Sequence, residues 1–137
     1  MREERPYLVN YMLALMLVMS LHMFINSIST LLYPTIFVPT SVSSSTYLII
    51  FVGVSIWEMM LTFFLYIGSG IAYKFTVLTL IVMVTLTATN MAAGGNMGFD
   101  LWMQTVLGAV SLVLAQIPQV KSFYDNWSLG KLPQTEL

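Results

Sequence analysis

The chain has 137 residues, of which 58% are hydrophobic and only 8% are charged, and its formal net charge is −1. A soluble domain covers its surface with about 25% charged residues, so this composition excludes an ordinary soluble protein. The chain has no excess of positive charge of the kind that binds nucleic acid, and we expect no nucleic-acid partner. A lipid bilayer must therefore cover most of the exterior, and in lipid the long unbroken apolar runs favour helices, whose backbone polar groups bond internally.

Four apolar segments predict an all-α, polytopic membrane protein. We expect a four-transmembrane-helix bundle in one domain spanning residues 1–137, with helices at about 7–32, 46–67, 75–93 and 100–117. The segment Tyr33–Ser45 contains two prolines and four serines and predicts a loop. A short link, Gly68–Lys74, joins the second helix to the third. Three nearby glycines, Gly94, Gly95 and Gly98, predict a turn before the fourth helix.

The basic residues predict the orientation of the chain. Four spans place every Lys and Arg on one side of the membrane: Arg2, Arg5, Lys74, Lys121 and Lys131. By the positive-inside rule, both the N-terminus and the C-terminus then face the cytoplasm, as in an integral protein of the cell membrane. The polar C-terminal tail, residues 119–137, is expected to leave the bilayer, with Tyr124 and Trp127 at the membrane surface.

Each predicted helix carries one seam of small or polar residues at spacings of three and four. Lipid gives helices no hydrophobic reason to associate, so such seams hold a membrane bundle together, and we expect all four to face inward. The seams are His22, Asn26 and Ser29; Ser55, Glu58 and Thr62; Thr76, Thr79, Met83, Thr87 and Asn90; and Gln104, Gly108, Ser111 and Ala115.

Glu58 is the acidic residue in the middle of the second apolar segment. A central acidic residue opposes insertion by about 2.5 to 3.5 kcal/mol, which the surrounding Leu, Ile, Phe and Val offset at about 0.3 to 0.6 each. An ionisable group at this depth usually faces a bundle interior and has a partner. We therefore predict an intramembrane polar site of His22, Asn26, Glu58 and Asn90, with a neutral Glu58 bonded to His22, Asn90 or a backbone carbonyl. This site is either a structural hydrogen bond or a functional one, such as a proton relay or a contact to a quinone or another small ligand.

Methionines form a second pattern in the first helix: Met12, Met16, Met19 and Met23 follow spacings of four, three and four. Thioethers can bind Cu(I), but unbranched Met more often fills gaps between helices or against a partner subunit. With one His and no Cys in the chain, the sequence predicts no metal site and no cofactor. Nothing resembles a nucleophile with its base, so we expect no catalytic residues and no catalytic activity of its own.

The stretch Gly53–Ala88 resembles the central portion of DoxX-like membrane proteins. In that family a Gly precedes a Glu within the second helix, another Gly closes the helix about three turns later, and a basic residue leads into an apolar third helix. The matching positions here are Gly53, Glu58, Gly68 and Lys74. The resemblance implies a four-helix bundle and, as in some members, association with quinone-linked oxidoreductases.

Two function classes follow from these observations. The first is an accessory, structural subunit of a larger membrane-bound oxidoreductase, of the terminal oxidase or monooxygenase type, whose partners are the other membrane subunits. The alternative is an autonomous small membrane carrier, or a quinone-reactive protein, that uses His22 and Glu58. Mild-detergent native electrophoresis separates the two, because the first places the chain in a large assembly.

Overall fold

The computed structural model describes residues 5–32, 44–94 and 99–128, and for residues 30, 31, 44–48, 99–101, 127 and 128 it describes the backbone alone. Within these ranges the chain forms helices and no strand, which confirms the all-α prediction. The helices are α1 (Tyr7–Leu32), α2 (Ser44–Tyr66), α3 (Gly70–Ala92), α4 (Phe99–Gln116) and α5 (Pro118–Ser128). Most of the predicted Tyr33–Ser45 loop, the glycines Gly95 and Gly98, and residues 129–137 lie outside the described residues.

Several of these helices are long and apolar enough to cross a membrane. α1, α2 and α3 qualify individually, through Tyr7–Ser29, Ile49–Tyr66 and Gly70–Ala92. α4 and α5 pass the same test only as a pair with a bend of 70° between them, which is either one broken span or a re-entrant loop. Three to four helices that could cross a membrane indicate an integral membrane protein.

The third helix begins earlier than predicted. α3 starts at Gly70 rather than near Phe75, because Ser69 caps it: the Ser69 hydroxyl accepts a hydrogen bond from the backbone N–H of Ala72 at 3.2 Å. Gly68 has a φ of 87°, a conformation that glycine adopts without strain, and it reverses the chain after α2. The predicted link up to Lys74 is thus mostly helix.

The first part of the predicted polar tail is helical, since residues 118–128 form α5. Pro118 opens this helix at a position where its missing N–H does no harm. Val120 and Tyr124 share one face, are fully buried, and join the core, and α5 contacts α1, α3 and α4. Tyr124 is therefore buried inside the protein and not at the membrane surface as predicted.

The inward face of α1 also differs from the prediction. The half-buried residues His22, Asn26 and Ser29 do not form it. The buried face instead carries the methionine pattern together with Val9, Leu13, Ser20 and Ser27. Flexible, unbranched Met side chains fill the irregular space between α1 and its neighbours. Of the two interpretations of the methionine pattern, copper binding and packing, the buried positions agree with packing.

Three hydrogen bonds to backbone carbonyls bring the ends of the helices together. Arg5 Nη2 donates to the carbonyl oxygen of Tyr66 at 2.6 Å, Tyr73 Oη donates to that of Ala115 at 2.6 Å, and Tyr124 Oη donates to that of Leu65 at 3.2 Å. The start of α1, the end of α2, the start of α3, the end of α4 and α5 therefore meet at one end of the bundle. We call this the α5 end.

Candidate functional site

Glu58 lies in the interior of the bundle. Its side chain is 2% exposed, and it shares the buried face of α2 with Ser55, Leu61, Thr62 and Leu65. The hydroxyls of Ser55 and Thr62 bond within the helix, Ser55 to the carbonyl of Val52 at 2.9 Å and Thr62 to that of Glu58 at 2.8 Å. Oε2 of Glu58 is buried and has no hydrogen-bond partner among the described residues. Among the unpartnered atoms of the described interior, this one has the highest free-energy cost of burial, because a carboxyl group is harder to desolvate than a hydroxyl or an amide.

Trp57 sets the position of Glu58 relative to α3. Its indole N–H donates to Oγ1 of Thr79 at 3.1 Å, and its ring packs edge-to-face on Phe75 with the centroids 6.1 Å apart. Phe75 and Thr79 flank Thr76 along α3. Glu58, which follows Trp57 directly and points inward, therefore lies close to the level of Thr76.

Ser111 of α4 lies at about the same level of the bundle as Thr76. The Tyr73–Ala115 hydrogen bond fixes one point of the α3–α4 pairing. At a rise of about 1.5 Å per residue, Thr76 on α3 and Ser111 on α4 each lie about 5 Å from that bond, both away from the α5 end. Both side chains are fully buried, and the hydroxyl oxygens of both have no hydrogen-bond partner among the described residues.

Gln104 is the fourth buried polar residue with an unpartnered atom. Its side-chain N–H donates to the backbone carbonyl of Met19 at 2.9 Å, which ties α4 to α1, but its Oε1 is buried with no partner in the described part of the chain. Gln104 lies about 10 Å beyond Ser111 along α4. We call Glu58, Thr76, Gln104 and Ser111 the polar interior.

The α5 end closes the polar interior. Tyr73 and Tyr124 stack with ring centroids 5.0 Å apart and planes inclined by 13°, and both are buried. Their hydroxyls donate to the carbonyls of Ala115 and Leu65, so neither turns toward Thr76 or Ser111. The stacked pair separates the polar interior from the surface at that end.

The structure does not assemble the predicted site of His22, Asn26, Glu58 and Asn90. His22 and Asn26 approach each other within α1, with Nε2 and Nδ2 3.4 Å apart, and both are half-buried. Measured from the α5 end, His22 lies about 22 Å along α1 and Glu58 about 12 Å along α2. Asn90 is exposed and lies about 16 Å beyond Thr79. Oε2 of Glu58 bonds to none of these residues.

Comparison of the chain with family models, with curated proteins and with solved structures found no match. The resemblance to DoxX-like proteins therefore stays a prediction. Within the described residues, no three His, Cys, Asp or Glu side chains form a group that could hold a metal ion.

Sequence reasoning found the members of the polar interior but not their grouping. Thr76, Gln104 and Ser111 were all predicted as inward seam residues, and all are buried. They were not joined to Glu58, because helix periodicity gives the face of a residue but not its level against a neighbouring helix. The buried tyrosines Tyr73 and Tyr124 were missed. For Tyr124, the signal that could have found it is its spacing of one helical turn from Val120 in an amphipathic helix.

Proposed function

We propose that this chain is an accessory, structural subunit of a larger membrane-bound oxidoreductase, of the terminal oxidase or monooxygenase type, with no catalytic activity of its own. The observation that supports a subunit role is the outer face of α2. It exposes aromatic and Met side chains: Trp57, Met60, Phe63 and Phe64. Aromatic residues and Met are enriched where proteins meet one another.

The outer face of α3 gives the contrast. Its exposed large side chains are mainly aliphatic, at Leu78, Ile81, Val82 and Leu86. Aliphatic side chains suit contact with lipid tails, and they need no protein partner. The α2 outer face is therefore the better candidate for binding another membrane subunit. The oxidoreductase class of that partner rests on the resemblance of Gly53–Ala88 to DoxX-like proteins.

The same proposal includes four spans in the cell membrane, with both termini in the cytoplasm. The contacts of α4 support the fourth span, because Gln104 meets Met19 far from the α5 end while Ala115 meets Tyr73 at that end. α4 thus runs back along the bundle antiparallel to α1 and α3. The described basic residues Arg5, Lys74 and Lys121 all belong to segments at the α5 end, which supports placing that end in the cytoplasm.

Affinity purification in a mild detergent tests the subunit role. We expect the tagged chain, expressed in the organism that encodes it, to recover a larger complex in stoichiometric amount. The double substitution Met60→Ala with Phe63→Ala should reduce recovery of the partners by tenfold or more, since two central interface residues that together contribute about 1.4 kcal/mol change the affinity tenfold. Leu78→Ala with Leu86→Ala, a matched pair on the outer face of α3, should leave recovery unchanged. A stable monodisperse monomer from wild-type membranes would refute the subunit role.

The alternative, a small carrier or quinone-reactive protein, has one observation in its favour: the buried Oε2 of Glu58 lacks a protein partner among the described residues. A short-chain quinone tests it through the fluorescence of Trp57, the neighbour of Glu58, in a purified protein whose other two tryptophans, Trp102 and Trp127, are replaced by Phe. Saturable quenching in the wild type that disappears in Glu58→Gln would favour the alternative. Equal, non-saturable quenching of both proteins would favour the subunit.

A further inference from the structure

We propose that Glu58, Thr76 and Ser111 form an internal water-binding site, in which one or two water molecules bridge the three side chains across α2, α3 and α4. We call these three residues the Glu58 site. The proposal concerns the interior of the chain and holds whichever partner or function the protein has. It assigns the carboxyl group of Glu58 a ligand other than a protein side chain.

Burial and the lack of protein partners carry the proposal. Glu58 is 2% exposed, Thr76 and Ser111 are fully buried, and each contributes an oxygen with no hydrogen-bond partner among the described residues. In a membrane protein such atoms have no access to bulk water, and leaving them unpaired is unfavourable. Buried water typically makes about three hydrogen bonds to polar groups of this kind.

Contacts between the helices set the three residues at about the same level along the bundle. The Trp57 contacts to Phe75 and Thr79 set Glu58 near the level of Thr76, and the Tyr73–Ala115 bond sets Ser111 at that same level on α4. Each side chain is buried on the inward side of a different helix, at about the same level of the bundle. Their chemistry is also complementary, because each hydroxyl can both donate and accept while the carboxyl accepts at Oε2 or donates from its neutral form.

Water fits this site better than a metal cation does. The Glu58 site offers one carboxyl and two hydroxyls, whereas hard cations prefer about six oxygen ligands. The seam hydroxyls nearest Glu58 on its own helix, those of Ser55 and Thr62, already donate to backbone carbonyls. The stacked Tyr73 and Tyr124 close the α5 end, so that water here is held inside the bundle and is not part of an open channel at that end.

Water-edited solid-state NMR of the protein in lipid bilayers tests the proposal directly. Magnetisation transferred from water should reach Glu58 Cδ and the Cβ atoms of Thr76 and Ser111 several times faster than it reaches the side chains of Leu65 and Leu80, which are equally buried but apolar. Thr76→Val with Ser111→Ala should slow the transfer to Glu58 to the rate of these leucines. Thr85→Val with Thr89→Val, two exposed threonines of α3, is the matched control and should leave it unchanged.

Two results would overturn the water site. One is transfer to Glu58 Cδ that is as slow as transfer to Leu80 in the wild-type protein. The other is a Glu58 Cδ chemical shift that moves when sodium replaces choline in the buffer, since that would mean that the carboxylate binds a cation. Neither result depends on a partner complex, so failure of the water site is distinguishable from failure of the subunit role.

Discussion

At the scale of single residues, Glu58 is the buried carboxyl group in the described interior. The inward orientation of its side chain follows from the sequence, because a single carboxyl group in an apolar membrane segment usually faces the interior of the bundle. Its surroundings do not follow. The prediction joined Glu58 to His22 and Asn90, whereas the contacts of Trp57 in the structure put Glu58 at about the level of Thr76. The level of one helix against another depends on long-range contacts such as Trp57 to Thr79, which no local pattern encodes.

Substitution of Glu58 tests its structural role. Glu58→Gln keeps the shape and a hydrogen-bond donor, so we expect its free energy of unfolding to lie within about 1 kcal/mol of the wild type. Glu58→Leu removes every polar atom and leaves the hydroxyls of Thr76 and Ser111 without a bridge, which should destabilise the bundle by about 1–3 kcal/mol. Thermal unfolding in detergent measures both. Met59→Leu, at the exposed neighbouring position, is the control, and a Glu58→Leu protein as stable as the wild type would contradict the expectation.

At the scale of the elements, helix existence was predictable and helix ends were less so. α1 has the predicted bounds, and α2 differs by one or two residues at each end. α3 begins earlier than predicted because Ser69 caps it, and the flanking glycines hide this cap in the sequence. α5 was missed because its mean polarity resembles a tail, although its apolar residues repeat at one turn and Val120 and Tyr124 are buried.

The docking of α5 depends on Tyr124. Tyr124→Ala should destabilise the protein by about 3–5 kcal/mol, as truncation of other large buried aromatic residues does. Tyr124→Phe keeps the stacking on Tyr73 and loses only the hydrogen bond to Leu65, so about 1 kcal/mol is expected. Limited proteolysis after α4, together with the melting temperature, measures the effect. Ser122→Ala, an exposed position on the same helix, should change neither, and equal effects of Ala and Phe at position 124 would contradict the stacking role.

The packing of α4 depends on Gly108. A Cβ atom there would overlap the terminal methyl of Met83 and would lie 3.6 Å from that of Met19. Because a Met side chain is flexible, Gly108→Ala should change the stability by no more than about 1 kcal/mol. Gly108→Leu should force α4 away from α1 and α3 and destabilise the protein by about 1–3 kcal/mol. Val110→Leu, on the exposed side of α4, is the control in the same unfolding measurement, and a Gly108→Leu protein that unfolds like this control would show that α4 packs otherwise.

At the scale of the whole molecule, composition predicts the class of protein. The apolar helices of the structure agree with that class, and three to four of them can span a membrane. The count of spans depends on α4 and α5, which qualify only as a bent pair. In the structure α5 already lies at the same end as the starts of α1 and α3. A three-span arrangement that leaves α5 on the opposite side of the membrane would not keep these contacts.

Cysteine labelling at two described positions decides between these arrangements, because the chain has no native Cys. Ala93, which follows the end of α3, and Ser122, in α5, are both exposed. With a membrane-impermeant thiol reagent on intact cells, four spans with cytoplasmic termini predict that Ala93→Cys is labelled, and that Ser122→Cys is labelled only after the membrane is permeabilised. Labelling of Ser122→Cys in intact cells would contradict the four-span bundle with its α5 end in the cytoplasm.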